Sequence, residues 1–259
     1  MKRIILVLLL IAATAIPAFS DDDLTPRLQI LCYHQIAPVA KDIMTTTPEM
    51  FEAQVRYLRT HDYYPVGMEE AVAFLKGRKP TRQKMVMITF DDGYDGIYHY
   101  GLPILRKYRF PAVVFLVVSK ITENGERSET GHLSWKQLRV LRDSGLFYIG
   151  SHTNALHQKV QWDLRDGRIT SSQLIRDLCK SRIYIYNHLG ILTDYLAWPY
   201  GGYDDRTIEI ARNCGFKVLF TTDEGSNHRG EGTIRIRRIA LSSAYDDLMR
   251  LEDKLTMFP

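Results

Sequence analysis

The chain has 259 residues, three cysteines and a formal net charge of +4, with 45% hydrophobic and 25% charged residues. That length suits one α/β domain with a sizeable core. Lys2 and Arg3 supply 2 of the 4 net charges, so 21–259 carries +2, which gives no argument for nucleic acid, and three cysteines do not make a disulfide framework.

The first twenty residues read as a targeting segment. Lys2 and Arg3 open it, Ile4 to Ile16 is apolar, and Ala18-Phe19-Ser20 offers small residues before Asp21-Asp22-Asp23. We expect a secretory signal cleaved after Ser20, a domain over 21–259, a secreted or periplasmic location, and no stable membrane insertion once the signal is removed. The apolar stretch is short for a membrane span, and an uncleaved anchor is the alternative. We expect a monomer.

Beyond the leader, short apolar runs alternate with helical patterns. Leu28 to Tyr33 is strand-like, and Thr47-Pro48-Glu49 opens a capped helix to about His61. Tyr63 to Val66 is strand-like, and Met68 to Leu75 is helical, with Gly77 as its stop. Met85 to Phe90 is a buried strand that delivers Asp91 and Asp92. Leu102 to Tyr108 is helical, Ala112 to Val118 is a buried strand, and Ser119 to Gly131 is a polar surface loop. Ser134-Trp135-Lys136-Gln137 is a capping box for a helix that Gly145 ends. Leu146 to Gly150 is a strand that delivers His152, followed by His157 and a polar loop from Gln158 to Thr170. A long helix spans about Ser172 to Leu189 and stops at Gly190. Tyr195 to Trp198 is a strand, Asp204 to Asn213 a helix and Val218 to Thr221 a strand. Ile234 to Ile239 suggests one more strand, and Tyr245 to Leu255 a last helix. About seven βα units with polar residues at several strand ends favour a parallel barrel over an open sheet. Cys32 lies in a strand pattern and Cys179 in a helical one, so both are expected as buried small apolar residues. An oxidising compartment leaves one bridge open.

Two clusters carry the chemistry. Thr89-Phe90-Asp91-Asp92-Gly93 ends one apolar run, and Ser151 to His157 ends another. An Asp-Asp-Gly is by itself a common turn, and a lone histidine is usually a satisfied polar residue. Together they make up the ligand set of a hydrolytic metal site, with two His and one Asp on the ion and a second Asp left as base. His152 and His157 are five apart, about 140° around a helix, so they cannot share an ion from one regular helix. A strand end followed by a loop can present both. Zinc is the default for such donors, with nickel, cobalt or iron as alternatives. His34, after the first strand, either reaches the site floor as an acid or is a hydrogen-bonded strand-end histidine. Trp198 and Trp135 could stack on sugar rings, with core packing the stronger reading for Trp135.

Thr89-Phe90-Asp91-Asp92-Gly93, Ser151-His152-Thr153 with His157, and Trp198-Pro199-Tyr200-Gly201 resemble the polysaccharide deacetylases of carbohydrate esterase family 4. The resemblance runs from Leu31-Cys32-Tyr33-His34 to Arg238-Ile239. It implies a single-domain, distorted (β/α)7 barrel of TIM type and a divalent-metal hydrolase that removes acetyl groups from polysaccharides. By resemblance Asp91 is the catalytic base, and Asp92, His152 and His157 are the metal ligands. The Tyr200 backbone N–H helps hold the oxyanion. The histidine spacing is five here, where most of the family has four. That spacing, Tyr33-His34 and the run Ala197 to Gly201 are similar to the subgroup acting on poly-β-1,6-N-acetylglucosamine of biofilms. Ala197 stands where many members carry an Arg that orients the base. No C-terminal Leu-x-His motif is visible, and Arg237-Arg238-Ile239 stands about where it would be. The alternatives are a deacetylase of peptidoglycan, chitin fragments or acetylated xylan, or a non-catalytic sugar-binding module.

Overall fold

The computed structural model describes residues 25–40, 42–80, 82–123, 131–157, 168–241 and 248–258. The expected leader and much of the two polar loops lie outside the described residues.

The apolar runs become strands β1 (Arg27–Tyr33), β2 (Gln35–Ile36), β3 (Thr45–Thr46), β4 (Tyr64–Pro65), β5 (Lys84–Phe90), β6 (Ala112–Leu116), β7 (Phe147–Ser151), β8 (Tyr195–Ala197), β9 (Val218–Phe220), β10 (Asn227–His228) and β11 (Ile239–Ala240). Between them lie helices α1 (Pro48–Thr60), α2 (Met68–Leu75), α3 (Leu102–Tyr108), α4 (Trp135–Asp143), α5 (Ser171–Leu189), α6 (Asp205–Asn213) and α7 (Leu248–Met257). The caps read from the sequence at Thr47 and Ser134 are present, and the structure adds two more. Thr47 accepts from the Met50 N–H, and Ser134, Thr170 and Asp204 each form a capping box.

β1 and β5 pair in parallel along their whole length, from Arg27 with Lys84 to Tyr33 with Phe90. The ring continues in parallel through β6, β7, β8 and β9. A single parallel bridge joins Phe220 to Ile236, and β11 then pairs with β1 at Leu31–Ile239 and Cys32–Ala240. The seventh stave is thus the broken segment 236–240, and the architecture is a distorted (β/α)7 barrel. The expected continuous strand from Ile234 to Ile239 is corrected to this interrupted stave. β10, which pairs antiparallel with the start of β1, is an addition to the sequence reading.

Alternation along the strands separates two faces. Leu28, Ile30, Met85, Met87, Val113, Phe115, Ala197, Val218, Phe220 and Ile236 pack together as the barrel interior. The residues between them, such as Leu31, Ile88 and Val114, pack outward against α1, α3, α4 and α7. Leu196 and Leu219 pack against α5 and α6. Gly150 faces the interior where space is short. A Cβ there would lie 2.5 Å from the Phe115 ring, so this position admits no side chain without repacking. Continued upward, the same alternation brings Cys32, Thr89, Asp91, His152 and Arg238 to the C-terminal mouth of the barrel, where sites form in this architecture.

Cys179 on α5 and Cys214 after α6 form a disulfide with Cα atoms 5.2 Å apart. The expectation of Cys179 as an unbridged apolar residue is corrected; only Cys32 remains free. The two cysteines lie 35 residues apart and tie together the two helices that cover β8 and β9. Cys214→Ser should lower unfolding free energy by about 2–4 kcal/mol. Urea unfolding with and without reductant checks this, and only the parent chain should respond to reductant.

Candidate metal centre

The site begins where strand geometry ends. Successive strand residues point to opposite faces, yet Asp91 and Asp92 line one cavity. Asp92 permits this by adopting a left-handed backbone, φ 68°. A non-glycine residue holds such a conformation only where its surroundings enforce it. Thr153 (φ 72°) and Tyr200 (φ 53°) turn two other strand ends in the same way.

His152 is pinned on both sides. Its backbone N–H donates to Leu116 O at 2.7 Å, and its Nδ1 lies 2.8 Å from Ala197 O. A carbonyl can only accept, so Nδ1 carries the proton and Nε2 keeps a lone pair. That Nε2 is 3.8 Å from Asp92 Oδ1, and His157 Nε2 is 3.0 Å from the same oxygen. Asp92 Oδ1 is buried. One ligand atom from each of Asp92, His152 and His157 falls within 4.8 Å of the others. Two imidazole nitrogens and a buried carboxylate oxygen converging on one point suit a divalent cation, with zinc, nickel, cobalt and iron all compatible. The protonation states agree. Burial pushes the His152 imidazole down to about 4 against the raising effect of Asp91 and Asp92, so it is neutral at pH 7. Burial raises the Asp92 carboxyl, but His157 and then His152 outweigh that and hold it at about 2.

Asp91 has a different environment. Both oxygens accept from the Arg238 guanidinium, at 2.7 and 2.8 Å, and both residues are almost wholly buried. Arg238 Nε donates to Thr221 O at 2.8 Å, and the guanidinium lies over the Phe115 ring. Burial pushes the Asp91 carboxyl up. Arg238, followed by His152, more than reverses this and holds it well below the usual carboxylate range. Cys32 Sγ stands 3.6 Å from Asp91 Oδ2, and burial pushes its thiol up, so it stays protonated. Cys32, His34 and Asp91 also cluster closely enough for a cation. Arg238 already supplies the positive charge there.

The sequence brings the expected residues together with one exception. His34 lines the cavity, of about 390 Å³, with Asp91, Asp92, His152, His157 and Tyr200. Its Nδ1 is buried with no hydrogen-bond partner. Tyr200 is 47% exposed, and its ring stands 4.9 Å from that of His157. Gly201 holds the turn beneath it, since a Cβ there would come 2.0 Å from Thr222 Oγ1. Trp198 is the exception: it is 0% exposed and packs with Leu174, Leu178, Phe216 and Leu219 under α5 and α6. The expectation that it stacks on a sugar is therefore corrected. It anchors the Pro199-Tyr200-Gly201 turn from below. Trp135 is buried against His188, as expected. The sequence reading missed Arg238 as the partner of Asp91. The available signal was a charged residue two places after Ile236 on the same interior face.

The polysaccharide deacetylase family matches residues 78–219, more than half of the chain. The chain belongs to the polysaccharide deacetylase family. A poly-beta-1,6-N-acetyl-D-glucosamine N-deacetylase from Staphylococcus aureus is 27% identical over 212 residues, covering 81% of this chain and 72% of that protein. The solved structure of IcaB from Ammonifex degensii superposes with TM-score 0.77 and 28% identity, over 89% of this chain and 97% of the other. The Streptococcus pyogenes deacetylase PplD, solved in complex with acetate, superposes with TM-score 0.75 and 25% identity, over 89% and 99%. The protein is accordingly a metal-dependent hydrolase of acetylated polysaccharide.

The buried Asp91–Arg238 pair of this polysaccharide deacetylase is open to a direct test. Arg238→Met leaves a buried carboxylate without its cation and should cost about 3–5 kcal/mol. A second substitution, Asp91→Asn, removes the stranded charge and should recover much of the loss. Urea unfolding of the two single variants and the double variant measures the coupling. Near-additive losses would show that the pair does not act as a unit.

Proposed function

We propose that the protein is a secreted or periplasmic zinc-dependent N-deacetylase of poly-β-1,6-N-acetylglucosamine, the exopolysaccharide of biofilm matrix. The observation that carries the chemistry is the buried Asp92 Oδ1 between the His152 and His157 imidazoles, beside a second carboxylate held by a guanidinium. Asp92, His152 and His157 would hold the cation, which when bound would polarise the acetyl carbonyl and acidify a water. Asp91 acts as the general base and takes the proton of the attacking water on a carboxylate oxygen. Arg238 orients Asp91 through both oxygens and keeps it ionised. His34, at the cavity wall with a free Nδ1, gives a proton to the departing amine. The Tyr200 backbone N–H donates to the developing oxyanion.

The choice of substrate rests on the five-residue histidine spacing, on Tyr33-His34 and the run Ala197 to Gly201, and on the staphylococcal relative's named activity. Export is supported by the leader-like residues 1–20 and by the Cys179–Cys214 bridge, which persists in oxidising compartments. No helix among the described residues is long and apolar enough to cross a membrane. The chain is read as a monomer.

Two variants separate metal binding from proton transfer. His152→Ala should lose the bound metal, and Asp91→Asn should keep it while turnover falls roughly 10²–10⁴-fold. Elemental analysis of both proteins alongside acetate release decides the roles. Equal metal in His152→Ala and parent, or near-normal turnover in Asp91→Asn, would reject the corresponding assignment.

The linkage preference is read from acetate release on β-1,6- and β-1,4-linked N-acetylglucosamine oligomers of equal length, with acetylated xylan and peptidoglycan fragments beside them. The β-1,6 series should be fastest. A preference for any of the others would change the substrate and leave the metal chemistry standing.

A further inference from the structure

His152 and His157 must meet at one point although four residues of loop separate them. Only His152 is held directly by the sheet, through its N–H to Leu116 O. From Thr153 the chain turns away with a left-handed backbone, and its next N–H groups lose their strand partners. Buried N–H groups need acceptors. One side chain supplies them. Asp177, on the second turn of α5 and almost fully buried, accepts Asn154 N–H on Oδ1 at 2.8 Å and Ala155 N–H on Oδ2 at 2.8 Å. The Leu156 N–H and the Asn154 side chain also interact with this carboxylate. A second tie joins loop and helix: Thr153 N–H donates to Ser151 Oγ at 3.1 Å, and Ser151 Oγ lies 2.7 Å from Ser181 Oγ on α5.

A buried carboxylate in a helix is costly unless its charge is hydrogen-bonded. Burial raises the Asp177 carboxyl, and the loop's N–H groups counter that rise. All the partners named for Asp177 belong to the segment between the two histidines. A helix-borne anion thus holds three consecutive residues of the loop, the last of them next to His157. His157 Nε2 is in turn the nitrogen closest to Asp92 Oδ1, at 3.0 Å against 3.8 Å for His152.

We propose that Asp177 is a positioning residue for the metal centre, fixing the loop after β7 so that His157 meets Asp92 and His152 at one cation. This rests on the metal-site reading above. It also gives a physical role to the five-residue spacing: the longer loop presents a turn of N–H groups that one carboxylate on α5 can gather. Asp177 touches neither the cation nor the substrate. Its effect is on how well the three ligands are pre-arranged. Partners of this kind are worth roughly 10–100-fold in metal affinity.

The test is zinc affinity of the folded protein, measured by competition with a chromophoric chelator. It compares the parent, Asp177→Asn, Asp177→Glu and Leu58→Ala, a core truncation on α1 that matches the loss of global stability away from the site. Asp177→Asn should bind zinc roughly 10–100-fold more weakly, while Leu58→Ala keeps parental affinity. Asp177→Glu retains the charge and supports folding. It should give cobalt-substituted protein with a visible spectrum altered from the parent's, because the histidine loop is displaced. Deacetylation by Asp177→Asn should return towards parental kcat in excess zinc, with KM unchanged. Parental zinc affinity in Asp177→Asn, or an unaltered cobalt spectrum in Asp177→Glu if the Asn variant does not fold, overturns the proposal. An equal loss in Leu58→Ala overturns it as well. Failure of the parent itself to bind zinc or cobalt would instead overturn the metal-site reading.

Discussion

A guanidinium and a carboxylate share the mouth of the barrel almost without access to water, and the rest of the site is built around them. Removing two charges from water is expensive, and their attraction repays that cost only when geometry is good and every remaining donor and acceptor is matched. Here Asp91 is bound at both oxygens, and Arg238 has Thr221 O and Thr89 Oγ1 for its other N–H groups. The pair also explains the broken seventh stave. Ile236 and Ile239 hold positions in the ring, but the chain between them leaves the ladder, with Arg238 N–H donating to Asp223 O. The side chain is thereby directed over Phe115 into the interior. A regular strand would close the sheet more completely, whereas this one closes it enough and delivers a cation to Asp91.

Around that fixed pair, the other reactive groups sit on turns that strands do not normally make. Asp92, Thr153 and Tyr200 all have left-handed backbones and none is glycine. Such conformations cost on the order of 1–3 kcal/mol each and need enforcement from neighbouring structure. For Tyr200 the enforcement is the buried Trp198 on one side and Gly201, tight against Thr222, on the other. For Thr153 it is the network running through Ser151 and Ser181 to α5. The Cys179–Cys214 bridge fastens that same helix to the end of α6. Helices that seem to do no more than cover the barrel thus stabilise the strained turns at its mouth.

Much of this was legible in the residue pattern, and the failures have physical causes. β-rich apolar runs and caps at Thr47 and Ser134 are local signals, and they located most elements to within a residue or two. Asp91, Asp92, His152 and His157 could be grouped because each cluster directly follows such a run. Arg238 was missed because its partner is 147 residues away, and its interior position two places after Ile236 marks a buried charge without naming what it pairs with. Trp198 misled because Tyr200, two residues on, does face the cavity, while alternation turns the indole itself outward, beneath helices whose packing no local pattern reveals. β10 is two residues long and carries no periodicity at all. The disulfide follows from the packing of α5 against α6, which spacing alone cannot supply.

The charges at the mouth have a final consequence for the chemistry. Arg238 cancels Asp91, and burial keeps His152 neutral, so Asp92 is left as the net negative charge among the proposed metal ligands. A divalent cation bound by one carboxylate and neutral imidazoles keeps a residual positive charge. In a partly desolvated cavity that charge would act strongly on an acetyl oxygen as negative charge developed there. A second free carboxylate on the cation would quench it. Arg238 prevents this by holding both oxygens of Asp91, so the proposed base stays ionised and close without becoming a ligand. The same ion pair thereby preserves the electrophilic character of the metal site and keeps Asp91 ionised, at the cost of some of its basicity.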